Sequence, residues 1–514
     1  MLNNEQKEFI LKNHKSKSVR QIARSLGASR QDVYTFIKES QKIQPRNSIL
    51  SKHKKILIPF AILILFIIHI TLRYNTFWLS HIPGDQNQYT GLAMKLQNFG
   101  MEGYSLRGID LMPADQENHI FSLSLSEDDE GSLIRGLKMS GAGYYDIPFF
   151  HKGPAFPIAL MISHQIFRHN KDYLLVQSHL GKQVFTTKPR EFFSAQFYAA
   201  IVPLFFSAVL MILTFYLGKI LFSYRIGFYA AFMMAINPIS ILTSHKLWAD
   251  DMLAAFVTLS VVFFLIAQKK QSAWISFFAG VSCGIAVLAK QTGILISGAV
   301  LLYSVFINID KIKNIKKWPS LIFDKHLISF GLGLAMISAP WFYKVYSVYG
   351  DPLYLPVNLD IDKTDTTGWF SILNARPHPL KLFALGIPFM SPAFVFAYGT
   401  IKNLIATLWT SLKKQNQEGR AIVILWFWLL TFALFFILYG GGKEHRRMLP
   451  AYPAIALLSS YFLSKLRIFM EKLFQNEIAA DILNLAILIA CAFWSVPKGL
   501  SVVLENRALI LAPF

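Results

Sequence analysis

The chain has 514 residues, of which 54% are hydrophobic and only 16% charged, against roughly 25% charged in a soluble domain. That deficit excludes a string of soluble domains and calls for a polytopic membrane protein. The net charge of +21 would suggest nucleic acid in a soluble chain; here much of the excess sits in short loops between apolar stretches, where it orients helices. The two cysteines, Cys283 and Cys491, lie inside apolar segments, so no disulfide framework is expected. The first apolar run begins near Ile56, too late for a cleavable signal sequence.

Residues 1–45 read as a small helical head, followed by a basic linker at 46–55. Val19, Ile22, Ala23 and Leu26 form one apolar helical face. Gly27 suits a turn, and Ser29 is a good N-cap for the next helix. The pattern resembles the helix-turn-helix of bacterial DNA-binding proteins, which would put Arg30, Gln31 and Tyr34 on the recognition helix. One head offers few phosphate contacts. DNA contact through residues 18–38 therefore stands beside docking of a cytoplasmic partner.

From Ile56 onward, apolar stretches of roughly 17–25 residues mark spans. They are Ile56–Thr71, Phe197–Leu217, Ile226–Thr243, Met252–Ala267, Ala273–Leu288, Ile294–Ile309, Leu327–Tyr343, Leu382–Thr400, Ala421–Tyr439, Leu449–Leu463 and Ile478–Val496. Pro154–Phe167 is apolar but carries Pro157 and His164, and reads as an interfacial helix. If it does not cross, the head, Lys219/Arg225, Lys269/Lys270, Lys311–Lys317, Lys402–Arg420 and Lys465–Lys472 all fall on the cytoplasmic side. The expected fold is thus all-α, with about eleven spans, a cytoplasmic N-terminus and an outward C-terminus. Two long stretches, 73–190 and 344–381, would face outward; loops of that length are commonly functional. The acidic run Glu127–Glu130 sits among Ser and Gly and reads as a solvated loop tip.

Polar groups at the outer ends of the spans are the place to look for a site. Four clusters qualify: Pro83–Tyr89 with Asp85 and Tyr89; His151–Pro157 with Lys152; His245–Asp251; and Lys443–Pro453 with His445, Arg446 and Arg447. Lys290 adds a cation between two spans. Lys152, Lys246, Lys290, Lys443, Arg446 and Arg447 break the positive-inside trend. Cations gathered there would hold an anion, and phosphate suits Lys and Arg. A carboxylate at Asp85 or Asp251 could take a proton from a hydroxyl. Glu444 and His445 offer two ligands for a divalent cation, too few to define a metal site.

In this order the motifs resemble those of the GT-C glycosyltransferases, specifically the family-39-like group that includes protein O-mannosyltransferases and lipid A aminoarabinose transferases. The resemblance covers about Ile56–Leu463. Asp85 matches the acidic residue of the first outer loop. Lys152-Gly153-Pro154 matches a Lys-Pro-Pro-like lead into an interfacial helix. Asp250-Asp251 before Met252-Leu253 matches a Pro-Asp-like opening of a span. Leu288-Ala289-Lys290 matches a Leu-Thr-Lys-Gly-like turn. Arg446-Arg447-Met448-Leu449-Pro450-Ala451-Tyr452-Pro453 matches an Arg-Tyr-Leu-Leu-Pro-Ala-Tyr-Pro-like motif. Gly153 stands where the first Pro is usual, Asp250 where Pro or another residue is usual, and Ser105–Met139 looks inserted.

The resemblance implies transfer of a sugar from a polyprenyl phosphate to an acceptor hydroxyl on a lipid, glycan or protein, with inversion. It implies Asp85 as base, Asp251 or Asp250 assisting, and Lys152, Lys290, Arg446 and Arg447 on the donor phosphate, with Tyr89, His151 and His445 nearby. No cofactor is required by these roles, although a divalent cation is compatible with them. An ordinary Asp has a pKa of about 3.9, so the base would act by position. Two other classes fit the charges: a transporter or flippase of a lipid-linked substrate, and a membrane-tethered regulator working through its head. The first needs ionisable groups in mid-span, and the second has no use for the ordered outer motifs.

Overall fold

A computed structural model describes parts of residues 6–36 and residues 49–74, 85–104, 109–113, 152–167, 174–177, 183–187, 198–308, 324–350, 417–438 and 445–511. The chain forms two compact units, Met1–Ile64 and Leu65–Phe514. In the first, helix α1 (Val19–Leu26) buries Ile22 and Ala23 against Ile10 and Val33, with Phe9, Leu26, Ala28 and Phe36 packed around them. Gly27 turns the chain at φ +59°, and Ser29 Oγ accepts the Asp32 amide at 3.0 Å. Arg30, Gln31 and Tyr34 are exposed.

The chain passes into the second unit within α2 (Ile49–Tyr74). There follow α3 (Asp85–Phe99) with a 3₁₀ turn at Gly100–Tyr104, β1 (Ile109–Pro113), α4 (Ala155–Ile166), β2 (Leu174–Gln177), β3 (Gln183–Thr187) and α5 (Ile201–Leu221). Next are α6 (Tyr224–Ala235), α7 (Pro238–Ser244), α8 (Asp250–Lys270), α9 (Ala273–Ala289), a 3₁₀ turn at Gln291–Ile294, α10 (Leu295–Ile307) and α11 (Lys325–Tyr349). The chain ends with α12 (Gln417–Leu438), a 3₁₀ turn at His445–Ala451, α13 (Tyr452–Phe474) and α14 (Glu477–Leu511). The helical fold stands as expected, with one addition. A three-stranded sheet of order β1-β3-β2 pairs β1 parallel and β2 antiparallel to β3.

Six helices among the described residues are long and apolar enough to cross a membrane, or seven if the bent pair α6–α7 is one span. Three more expected spans appear as the shorter apolar helices Pro59–Arg73, Ala273–Ala289 and Gln291–Ile307. Leu382–Thr400, most of 344–381 and the Glu127–Glu130 run lie outside the described residues. Pro154–Phe167 forms the 12-residue α4, too short to span. The stretch Ile226–Thr243, expected as one helix, is instead broken between α6 and α7 with a bend of 56°. Pro238 cannot donate a backbone hydrogen bond, and Asn237 Oδ1 takes the Ile239 and Ser240 amides at 2.9 and 3.0 Å, so a new helix starts there.

Helix α8 packs between α5 and α9, and α9 packs closely along α11. A Cβ on Gly280 would collide with the Phe330 carbonyl, and one on Gly333 with the Phe277 carbonyl. Close backbone approach through small residues is how helices pack in lipid, where no hydrophobic force drives them together. The 3₁₀ turn at 445–451 packs on α8 and α12, and α3 packs on α4.

Candidate active site

The site is built where α8 begins and α9 ends. After α7, the chain makes a tight turn in which the Trp248 amide donates to the Lys246 carbonyl at 2.7 Å. Helix α8 then opens with Asp250 and Asp251 in its first turn, where the helix dipole favours negative charge. Both are buried, yet they face different partners. Asp250 receives Lys290 Nζ at 2.9 Å and lies 3.9 Å from Arg446 Nη1. Asp251 sits beside Thr243 and Arg73, and neither of its carboxylate oxygens meets a partner in hydrogen-bond geometry.

Lys290 ends α9 in an extended conformation (φ −159°, ψ 131°). Its amide still donates to Ala286 and its carbonyl accepts from Gly293, at 2.9 and 2.8 Å. Arg446 comes from the 3₁₀ turn before α13 and lays its guanidinium 3.8 Å from the Trp248 ring centroid. Lys246 Nζ is 4.5 Å from the same ring. Three cations therefore gather around one carboxylate and one indole. Cations gathered in this way suit an anionic group such as a phosphate.

Lys152 and Tyr89 join from the other side. Lys152 Nζ is 5.1 Å from the Tyr89 ring, and Tyr89 meets Phe156 edge-on at 5.0 Å. Tyr89, Phe156, Leu247, Ala249, Met252 and Ala289 share one buried apolar cluster, which ties the Lys152 segment to the flanks of Asp250 and Lys290. Gly153 explains the closeness: a Cβ there would collide with the Leu288 carbonyl. Glycine at this position, where the resemblance led to an expected Pro, thus has a steric reason. Tyr104 Oη donates to the Gly153 carbonyl at 3.4 Å, and burial pushes its phenol pKa well up.

Asp85 is the first residue of α3, one turn before Tyr89; its side chain lies outside the described residues. So do His151, Glu444 and the His445 side chain. Arg447 is half-buried next to Arg446. No group of three His, Cys, Asp or Glu side chains that could hold a metal is found among the described residues. His245, at the end of α7, has its pKa lowered to about 3 by burial and by the charges of Arg73 and Lys246; it is neutral at physiological pH.

Two contributors escape sequence reasoning. Trp248 lies in a cluster singled out for its charges, but the pairing of the indole with Arg446 depends on the fold. Arg73 looks like the mere end of an apolar run. Its signal is weak: a lone cation next to a span boundary, with the Asn237-Pro238 break elsewhere.

Residues 192–341 match the family model described as dolichyl-phosphate-mannose-protein mannosyltransferase, a stretch that contains Asp250, Asp251 and Lys290. Among solved structures, the archaeal oligosaccharyltransferase AglB from Archaeoglobus fulgidus, in complex with an inhibitory peptide and a dolichol-phosphate, aligns over 88% of this chain at 15% identity and a TM-score of 0.50. The chain spans 56% of that archaeal chain's length. Apo ArnT from Cupriavidus metallidurans aligns over 87% of this chain and 74% of its own, at 14% identity and a TM-score of 0.49. No curated protein matches the sequence. Residues 192–341 are thus similar to the dolichyl-phosphate-mannose-protein mannosyltransferase family, and the chain shares a helical membrane fold with the archaeal oligosaccharyltransferase.

Proposed function

We propose that the chain is a membrane glycosyltransferase that moves a sugar from a polyprenyl phosphate to an acceptor hydroxyl at the outer membrane face, with inversion. The observation that carries this reading is the convergence of Lys290 and Arg446 on Asp250, with Lys246 and Arg446 on Trp248. A cation cluster at the ends of apolar helices suits a donor with a phosphate head and a lipid tail. The dolichol-phosphate held by the archaeal enzyme and the description of the matched family agree with such a donor.

In this mechanism Asp85 takes the proton of the acceptor hydroxyl. The freed oxygen attacks the anomeric carbon from the face opposite the phosphate. The bond from that carbon to the phosphate oxygen breaks, and its electron pair leaves with the polyprenyl phosphate. Lys152, Lys290 and Arg446 meet the growing charge, a preorganised electrostatic role. Asp250 keeps Lys290 and Arg446 in register, and Asp251 answers Arg73.

The test is transfer in nanodiscs with polyprenyl-phosphate sugars, alongside donor affinity. Asp85→Asn should lower turnover by about 10²–10⁴-fold, the usual worth of a general base, with donor binding kept. Arg446→Ala should weaken donor binding and turnover together, because phosphate contacts act in both states. Near-normal turnover in Asp85→Asn would move the base to Asp250 or Asp251. Absence of transfer from every such donor would remove the enzyme reading.

A further inference from the structure

The break between α6 and α7 leaves backbone groups to be satisfied inside an apolar bundle. Pro238 has no amide to give to the Met234 carbonyl. The Ile239 amide, which a continuous helix would give to Ala235, is taken by Asn237 Oδ1. Unsatisfied carbonyls are costly there. The Met234 carbonyl takes the Asn237 amide at 3.4 Å, and Arg73 supplies a donor for Ala235. Its Nη1 donates to the Ala235 carbonyl at 2.9 Å and to the His69 carbonyl at 3.2 Å. Its Nη2 donates to Ser240 Oγ at 3.0 Å, with a longer 3.5 Å contact to the Met234 carbonyl. The fork therefore spans both sides of the break. His69, one turn earlier, is bound to Ser207 on α5 at 3.0 Å, so the segment that carries Arg73 is itself fixed. Arg73 also faces the charge of Asp251 on α8.

We propose that Arg73 is a positioning residue: it holds α7 at its angle to α6 and thereby places the Lys246–Asp250 turn on which the cation cluster is assembled. The proposal rests on the donor reading above for what the cluster binds. Its geometry is a short lever. Helix α7 has 7 residues, or ~10 Å at ~1.5 Å per residue, so a tilt of ~10° at Arg73 moves the far end by ~2 Å. Misplacement by ~1 Å is enough to cost a site ~10²-fold. Asp251, next to Asp250, feels the charge of the same guanidinium without a hydrogen bond to it. Lysine cannot replace it, because an ammonium lacks the planar fork that reaches two acceptors at once.

The experiment compares the full-length protein with Arg73→Lys in nanodiscs, using undecaprenyl phosphate as probe. Hydrogen exchange read by mass spectrometry over residues 236–250 reports the turn without any ligand. We expect exchange there to rise at least tenfold in Arg73→Lys while residues 295–307 stay as in wild type, and undecaprenyl phosphate affinity to fall about tenfold. Should Arg73→Lys not fold, Arg73→Gln combined with Asp251→Asn removes both buried charges and undergoes the same exchange measurement. Unchanged exchange over 236–250 in the folded variant overturns the proposal, as does raised exchange with wild-type affinity. If wild type itself binds no undecaprenyl phosphate, the donor reading falls, and the exchange result alone decides whether Arg73 braces the turn.

Discussion

Trp248 stands between two cations, Arg446 at 3.8 Å and Lys246 at 4.5 Å from its ring. An aromatic face attracts a cation by about 0.5–2 kcal/mol, more when the pair is desolvated. Arg446 is almost fully buried, so the upper part of that range applies to it. The indole does for the guanidinium what Asp250 does for the ammonium of Lys290: it fixes the direction in which charge is presented. Trp248→Ala should therefore weaken undecaprenyl phosphate binding by roughly tenfold or more, on that cation–π scale, without unfolding the protein. Trp248→Phe should recover part of the loss, since Phe is a weaker cation partner. Affinity measured for both variants in nanodiscs checks this; equal affinities for wild type and Trp248→Ala would reduce the indole to packing.

The elements show where chain order yields to spatial order. Apolar runs announce helices, so α5, α8, α12, α13 and α14 are legible from hydropathy alone. The break before α7 is not, because a span-length average hides one Asn-Pro pair among apolar neighbours, although that pair is a local turn signal. The sheet is not legible either, since β1 pairs with β3 across the whole of α4. Of the site, the cations and Asp250 were marked by their unusual place at helix ends. Which carboxylate they meet depends on the turn of α8, which points Asp250 to Lys290 and Asp251 to Arg73. Gly153 is the clearest joint between elements. Gly153→Ala would drive a methyl group into the Leu288 carbonyl, and overpacking costs about 1–3 kcal/mol. Thermal unfolding should show that loss together with weaker donor binding, because Lys152 and Lys290 flank the contact. Gly331→Ala is the control. It lies in α11 with open space around it, and Ala in a helix gains about 0.5–1 kcal/mol over Gly. A harmless Gly153→Ala would mean that the two segments are less tightly joined than this contact requires.

At the scale of the molecule, α8 links the site to the opposite membrane surface. It has 21 residues, ~31 Å at ~1.5 Å per residue, about the thickness of a bilayer's hydrocarbon core. Its acidic residues sit in the first turn and Lys269 and Lys270 in the last, as the helix dipole favours. If the basic loops lie in the cytoplasm, Lys270 is inside and the Asp250 end outside. Cysteine labelling can decide this cleanly, because the native thiols Cys283 and Cys491 are both buried and give little background. Lys270 is exposed, so Lys270→Cys should react with a membrane-impermeant maleimide only after permeabilisation. Arg447→Cys, in the turn that carries Arg446, should react in intact cells. Reaction of Lys270→Cys from outside would invert the orientation and put the proposed donor site on the cytoplasmic face. Reaction of both from one side would mean that α8 does not cross at all.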